Sequence, residues 1–191
     1  MKLSNVKTTD VSIYEYKKRL RKQGYRKLGS GLYAEVYGKK GCDHVIKIGA
    51  LETAWHKDGY VGFLRHIDPS NPMFPKIKTV ERFNVMEKST IAGRYYVVKM
   101  ERLIEYTSVQ WKTCKEVYDR MGIETFYDFE EHPKYPPAFK SKFAARAYKI
   151  LHKLWSKYRD DLHDGNVMWR KKKDGNYQLV ISDPATTRFS Y

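Results

Sequence analysis

The chain has 191 residues, 41% of them hydrophobic and 15% aromatic, so it has the length and apolar content to bury a core rather than remain a disordered basic tail. Thirty-seven Lys and Arg against 22 Asp and Glu leave a net charge of +15, spread along the chain, which suits phosphate backbones, acidic proteins or plain solubility. No run nears the roughly 20 apolar residues of a membrane span, Met1 to Asp10 lacks a signal peptide's apolar stretch, and Cys42 and Cys114 make neither a disulfide framework nor a zinc motif, so no membrane association and a reducing cytoplasm are expected.

Val11 to Lys22 has the length of a short helix, with Tyr14, Lys18 and Arg21 on one side. From Tyr25 the pattern turns to β-prone runs punctuated by glycine: Tyr25 to Leu28, Tyr33 to Tyr37 and His44 to Ile48, with Gly29, Gly31, Gly38 and Gly41 between them. This spacing predicts a three-stranded antiparallel meander. Glu52 to Ile67 is a poor helix, broken by Gly59 and Gly62 and terminated by Pro69, Pro72 and Pro75. Two further strands are expected over Ile77 to Phe83 and Tyr95 to Met100, joined through Ser89 to Gly93. Helical spacing returns in Val109 to Met121. It is clearest in Ser141 to Tyr158, where Phe143, Ala147, Ile150, Leu151, Leu154, Trp155 and Tyr158 recur at three- and four-residue intervals. Val167 to Arg170 and Tyr177 to Ile181 close the pattern as a hairpin turning at Asp174-Gly175. Strands first, helices second and a small hairpin last make an α+β protein of two lobes around a cleft, with the boundary near Leu103 to Thr107.

Four constellations carry chemistry. The turn Gly29-Ser30-Gly31, with Val36 after it, lets backbone approach phosphate oxygens while an apolar side chain covers a base; an isolated glycine pair is equally an ordinary hairpin turn. Lys47 lies inside the apolar run Val45-Ile46-Lys47-Ile48. Its ammonium must reach solvent from an edge strand or meet a phosphate or carboxylate, because burying it alone is costly. Asp161-Leu162-His163-Asp164-Gly165-Asn166 follows the strongest helix, and Asp183 follows the apolar run Leu179 to Ile181. Phosphoryl transfer needs a carboxylate to orient the attacking hydroxyl and oxygens that hold magnesium against the phosphates. Asp161 suits the first task; Asn166 and Asp183 suit the second. Each alone is an ordinary Asp-rich turn, and it is their joint occurrence in this order that points to a nucleotide.

Together these motifs resemble the protein-kinase-like fold over Tyr25 to Ala185. The glycine turn is similar to the kinase G-x-G-x-x-G-x-V, with Ala34 in place of the third glycine, Tyr33 at the tip and Val36 as the valine. Lys47 matches the strand lysine that pairs with the α- and β-phosphates. Val97 to Leu103 resembles the strand and hinge that hold adenine, with Met100 as gatekeeper and the Glu101 carbonyl and Leu103 amide on the base edge. Asp161 to Asn166 matches the catalytic loop and Asp183 the metal-binding acid. Leu28-Gly29-Ser30-Gly31, Val45 to Gly49, His163 to Met168 and Asp183-Pro184 look like the early serine/threonine protein kinases of short-tailed lytic bacteriophages. Arg159 and Asp160 stand where His and Arg of H-R-D would be, His163 replaces the catalytic-loop lysine, and Pro184-Ala185 replaces Phe-Gly. Neither Glu52 nor Asp58 is placed by a motif as the partner acid of Lys47. Only Thr186 to Tyr191 follow Ala185, so no activation segment or later helices are expected.

The resemblance implies a minimal bilobal kinase-like domain over residues 1–191, with an antiparallel-sheet N-lobe to 103 and a truncated helical C-lobe from 104. It implies ATP and Mg²⁺ as cofactors, host bacterial proteins as substrates, a role in phage takeover and a place in the host cytoplasm. The +15 charge favours acidic partners and is equally compatible with nucleic acid. The alternatives are a small-molecule phosphotransferase and a kinase-like binder or inhibitor of a host protein.

Overall fold

The computed structural model of the chain describes residues 8, 9, 12–31, 33–53, 56, 57, 59–87, 90–105, 142–160, 166–175 and 177–186. Strands β1 (Thr8–Thr9), β2 (Arg26–Ser30), β3 (Ala34–Gly38), β4 (His44–Thr53), β5 (His56–Lys57), β6 (Ile77–Glu87) and β7 (Thr90–Glu101) form one sheet in the order β1-β6-β7-β4-β3-β2, with β5 on β4. Every pairing is antiparallel except β1 with β6. The meander predicted from the glycine spacing is present as β2, β3 and β4.

β6 and β7 run well past the Ile77 to Phe83 and Tyr95 to Met100 segments expected for them. Their ladder continues through Asn84↔Arg94 and Val85↔Gly93 to Glu87↔Thr90. Pairing needs only backbone groups, so the strands outlast the hydrophobic pattern that announces them. The expected Ser89 to Gly93 connection is correspondingly shorter.

Cross-strand register sorts the side chains onto two faces. One face carries Tyr37, Ile46, Ile48 and Val97, buried together with Leu20 of the helix α1 (Ile13–Lys22). Ser12 caps this helix by accepting from the Glu15 amide at 3.2 Å. Its inward residues are Ile13, Tyr16 and Leu20 at helical spacing, whereas the Tyr14 side of the sequence reading faces water, Tyr14 being 67% exposed. The other face carries Val36, Lys47, Val98 and Met100 and is joined by the buried Tyr60 of helix α2 (Tyr60–His66). Among the described residues of the Glu52 to Ile67 segment only that short piece is helical, and Glu52 and Thr53 belong to β4.

The chain divides into two compact units, one made by the described residues of Met1–Arg65, Lys76–Arg102 and Thr186–Tyr191, the other by those of His66–Pro75 and Leu103–Ala185. The second contains helix α3 (Lys142–Trp155) and strands β8 (Arg159–Asp160), β9 (Val167–Lys171) and β10 (Tyr177–Ile181), with β9 paired to β10; the two-residue strand β11 (Ala185–Thr186), paired to β8, falls at the boundary of the two units. α3 buries Ala147, Leu151 and Leu154, and the hairpin buries Val167, Trp169, Leu179, Val180 and Ile181. The predicted helix over Val109 to Met121 lies outside the described residues.

His66 to Pro75, expected only to stop a helix, is instead fastened into this second unit. Asn71, 2% exposed, donates from Nδ2 to the Phe143 carbonyl at 2.9 Å and accepts from the Met73 amide at 3.0 Å. Arg170 donates to the Pro72 and Phe74 carbonyls at 2.7 and 2.8 Å, and the Ile181 amide donates to the Met73 carbonyl. Prolines leave carbonyls without local partners, and here a guanidinium fork and an amide collect them. Among the described residues no helix is long and apolar enough to cross a membrane.

Gly49 and Gly38 predict a measurable contrast. A Cβ at Gly49 would fall inside the buried Tyr96 phenol, whereas one at Gly38 would meet Leu28 Cδ1 at 2.6 Å, the far end of a side chain 45% exposed and able to turn away. Gly49→Ala is expected to lower stability by about 2 kcal/mol or more and Gly38→Ala by about half of that or less, as measured by urea unfolding.

Candidate functional site

Lys47 decides between the alternatives left by its sequence. β4 lies between β3 and β7, so Lys47 is on an interior strand, opposite Val36 on one side and Val98 on the other, and is only 7% exposed. The edge-strand route to solvent is closed. Its Nζ stands 3.6 Å from the centroid of the Tyr60 ring. A ring face attracts an ammonium through its quadrupole, and more strongly when both are withdrawn from water. Tyr60 is fully buried, stacks on Tyr96 at 5.4 Å and 30°, and donates its hydroxyl to Met100 Sδ at 3.4 Å. Met100 and Lys47, expected as gatekeeper and phosphate lysine, are thus joined by one aromatic side chain.

The glycine turn is shifted from its expected place. Gly29 and Ser30 lie within β2, paired with Val36 and Glu35, and the chain reverses beyond them, closed by the Gly31 amide donating to the Ala34 carbonyl at 2.9 Å. A bulge between Lys27 and Gly29 sets this register. Neither Gly29 nor Gly31 has a positive φ, and a Cβ at either would meet nothing within 4 Å. No internal contact or backbone strain therefore requires glycine here; the open backbone is free for a ligand to approach. The root of the hairpin is fixed by contrast. Lys17 of α1 pairs with Glu35 at 2.8 Å and Tyr37 donates to the same carboxylate at 2.7 Å, which together hold the Glu35 carboxyl below its usual range.

The end of β7 is held by polar contacts. The Glu101 amide donates to the Lys76 carbonyl at 2.9 Å, and the Glu101 carboxylate accepts from the Lys76 amide at 2.8 Å. The Arg102 amide donates to the Asp43 carbonyl at 2.8 Å. Asp43 also binds Lys78 at 2.8 Å and His44 Nδ1 at 3.0 Å, while Tyr25 Oη lies 2.6 Å from His44 Nε2. The lysine, and then the histidine, hold the Asp43 carboxyl down at about 2. Leu103, 9% exposed, falls in the second unit, so the expected base-edge residues Glu101 and Leu103 belong to different units.

In the second unit the two oxygen donors proposed for magnesium are brought to one end of the β9–β10 hairpin. Val167 pairs with Ile181, which places Asn166 and Ser182 just beyond the last rung. The Asn166 carbonyl accepts from the Ser182 amide at 2.8 Å, the Ser182 hydroxyl at 2.8 Å and the Asp183 amide at 3.4 Å. Asn166 and Asp183 are therefore tied through backbone. Among the described residues no three His, Cys, Asp or Glu cluster as a metal site. A pair of hard oxygen donors still fits Mg²⁺, which takes one or two protein oxygens and completes its shell with water and phosphate. Asp161, expected to orient the attacking hydroxyl, lies outside the described residues.

Sequence reasoning missed Tyr60 and Ser182. The signal for Ser182 was its place beside Asp183. For Tyr60 it was an aromatic opening a helix without a single Asp or Glu, in a chain with a lysine on an apolar strand.

No protein-family model matches the chain, and no curated protein matches it. Solved structures do, among them the Cydia pomonella granulovirus kinase PK-1, at 11% identity and a TM-score of 0.40. The match covers 89% of this chain, which spans 55% of that one.

Two outcomes test these contacts. Ser182→Ala removes one of the donors on the Asn166 carbonyl and is expected to cost about 1 kcal/mol in urea unfolding. Asp43, depressed from 3.8 to about 2, contributes stability that is present above pH 4 and lost as pH falls toward 2. Being 79% exposed, it contributes a part that salt screens. Asp43→Asn is expected to flatten the acid limb of a melting-temperature profile at low salt and to change it little at high salt.

Proposed function

We propose that the protein is an ATP- and Mg²⁺-dependent kinase that transfers the γ-phosphate to Ser or Thr of host bacterial proteins during phage takeover of the cell. The observation that carries the reading is the buried Lys47 ammonium on an interior strand, directly opposite Val36 of a hairpin whose glycines leave open backbone. A lysine in such a place is expensive to bury unless its charge is used, and phosphate is the anion that a glycine-rich hairpin admits.

In this reading Gly29, Ser30 and Gly31 offer backbone amides to the triphosphate and Val36 packs on the base. Lys47 neutralises phosphate charge, Met100 bounds the base pocket, and the Glu101 carbonyl and Leu103 amide meet the base edge. Asp161 accepts the hydrogen bond of the substrate hydroxyl and aims it in line with the phosphorus. Asn166 and Asp183 would hold Mg²⁺, which supplies charge neutralisation to the phosphates when bound. The +15 surface attracts acidic host proteins and raises encounter rate more than affinity.

The test is incubation with γ-labelled ATP, Mg²⁺ and a bacterial lysate. The native protein is expected to label lysate proteins on Ser and Thr, while Asp161→Asn, Lys47→Ala and Asp183→Ala each reduce transfer by about a thousandfold or more without loss of fold. Gly31→Ala is expected to fold as stably as the native chain yet to bind nucleotide more weakly. Label confined to a dialysable product would replace this reading with a small-molecule phosphotransferase. Equal labelling by the native and substituted proteins would end it.

A further inference from the structure

We propose that Tyr60 is the positioning residue for the Lys47 ammonium, its ring face fixing where that charge stands; this deepens the nucleotide reading of Lys47 and rests on it. The geometry is specific. Lys47 Nζ lies 3.6 Å above the ring centroid, well inside the range in which an ammonium feels the ring's negative face. The seven residues of α2 include no Asp or Glu, so what this helix brings to Lys47 is an aromatic surface.

The ring cannot swing away. Tyr60 is fully buried, stacks on Tyr96, packs against Phe63 with centroids 5.8 Å apart, and is tethered at its far end by the hydroxyl donated to Met100 Sδ. Tyr96 is itself seated where Gly49 lacks a side chain. The glycine two residues after Lys47 on the same strand face thus makes room for the ring that backs the ring beneath Lys47. Such a platform is ordered before any ligand arrives, so no further side-chain freedom is lost on binding.

The chemistry differs from that of an acidic partner in one useful respect. A carboxylate cancels the ammonium's charge, whereas a neutral ring holds the ammonium and leaves the pair at +1. The ring therefore adds no negative charge of its own where phosphate oxygens would meet the ammonium, and burial strengthens each charge-assisted bond made there. The hydroxyl of Tyr60 makes the tether to Met100 and the ring face meets the ammonium, so the ring and the hydroxyl can be tested apart.

The experiment combines MgADP titration by calorimetry with side-chain NMR of Lys47, on the full chain. Tyr60→Leu is expected to weaken MgADP binding about 30-fold, and Tyr60→Phe, which keeps the ring face, by about twofold or less. In the native and Tyr60→Phe proteins the Lys47 side-chain protons are expected upfield of the ordinary lysine range, displaced by the ring current, and to return to it in Tyr60→Leu. A merely structural Tyr60 would lower the melting temperature of Tyr60→Leu and leave its MgADP affinity unchanged, which overturns the proposal. Lys47 protons in the ordinary range in the native protein overturn it as well, whether or not Tyr60→Leu folds. If Lys47→Ala loses MgADP and Tyr60→Leu does not, the proposal fails and the nucleotide reading stands. If Lys47→Ala binds MgADP as tightly as the native chain, the nucleotide reading itself fails.

Discussion

A positive charge buried on an interior strand is the constraint around which the first unit is arranged. Lys47 is flanked by Val36 and Val98 and covered by Tyr60, so its ammonium is cut off from bulk water on the sides where a surface lysine would be hydrated. The sheet brings an aromatic stack to that charge. Gly49 makes room for Tyr96, Tyr96 backs Tyr60, and Tyr60 lies under the charge and reaches Met100. Each member is buried, and each depends on the size of the one before it. The opposite face is free of such demands and is an ordinary apolar core of Tyr37, Ile46, Ile48 and Val97 closed by α1. A single strand thus serves the apolar core with its even-numbered residues and the proposed phosphate contact with its odd ones, through the period-two alternation of a pleated strand.

The second unit reaches rigidity by a different route. Its candidate metal donors are positioned by backbone, because the Asn166 carbonyl gathers three donors from Ser182 and Asp183 at the open end of a hairpin. The hairpin is anchored by the fully buried Trp169, whose backbone exchanges hydrogen bonds of 2.8 and 2.9 Å with Ile104. It is also tied by Arg170 to the proline-rich segment that Asn71 connects to α3. The electrostatic part of the proposed chemistry therefore depends on packing, and the oxygen-donor part on hydrogen bonding. The two should respond differently to substitution, since cavities relax partially and unsatisfied carbonyls do not.

Polar groups at the end of β7 have a structural use that a motif reading assigns elsewhere. The Glu101 carboxylate and amide are both engaged with Lys76, and the Arg102 amide with Asp43. These contacts fix the strand where the chain leaves the first unit, next to residues whose backbone is proposed to meet a base. Charge in this region is mostly exposed, so its part in stability is modest and depends on salt. Its geometric part does not.

The α+β class, the meander of β2, β3 and β4, the helices over Ile13 to Lys22 and Lys142 to Trp155 and the terminal hairpin were legible in the sequence, because each rests on local periodicity, capping or turn residues. The set Gly29, Gly31, Lys47, Asn166 and Asp183 is singled out by residue type and spacing alone, and its role is the proposal made above. Strand lengths were not legible. β6 and β7 extend through Asn84, Gly93 and Arg94, residues of weak strand preference whose backbone still pairs. Nor was the inward side of α1, which is decided by the groove beside Tyr37 and Val97 rather than by the helix alone. Above all, the sequence shows Lys47 between apolar neighbours without showing whether its strand is central or at an edge. Strand order is a long-range property, set by which strands pair across the sheet, and it alone buries the ammonium and brings Tyr60, thirteen residues further along the chain, beneath it.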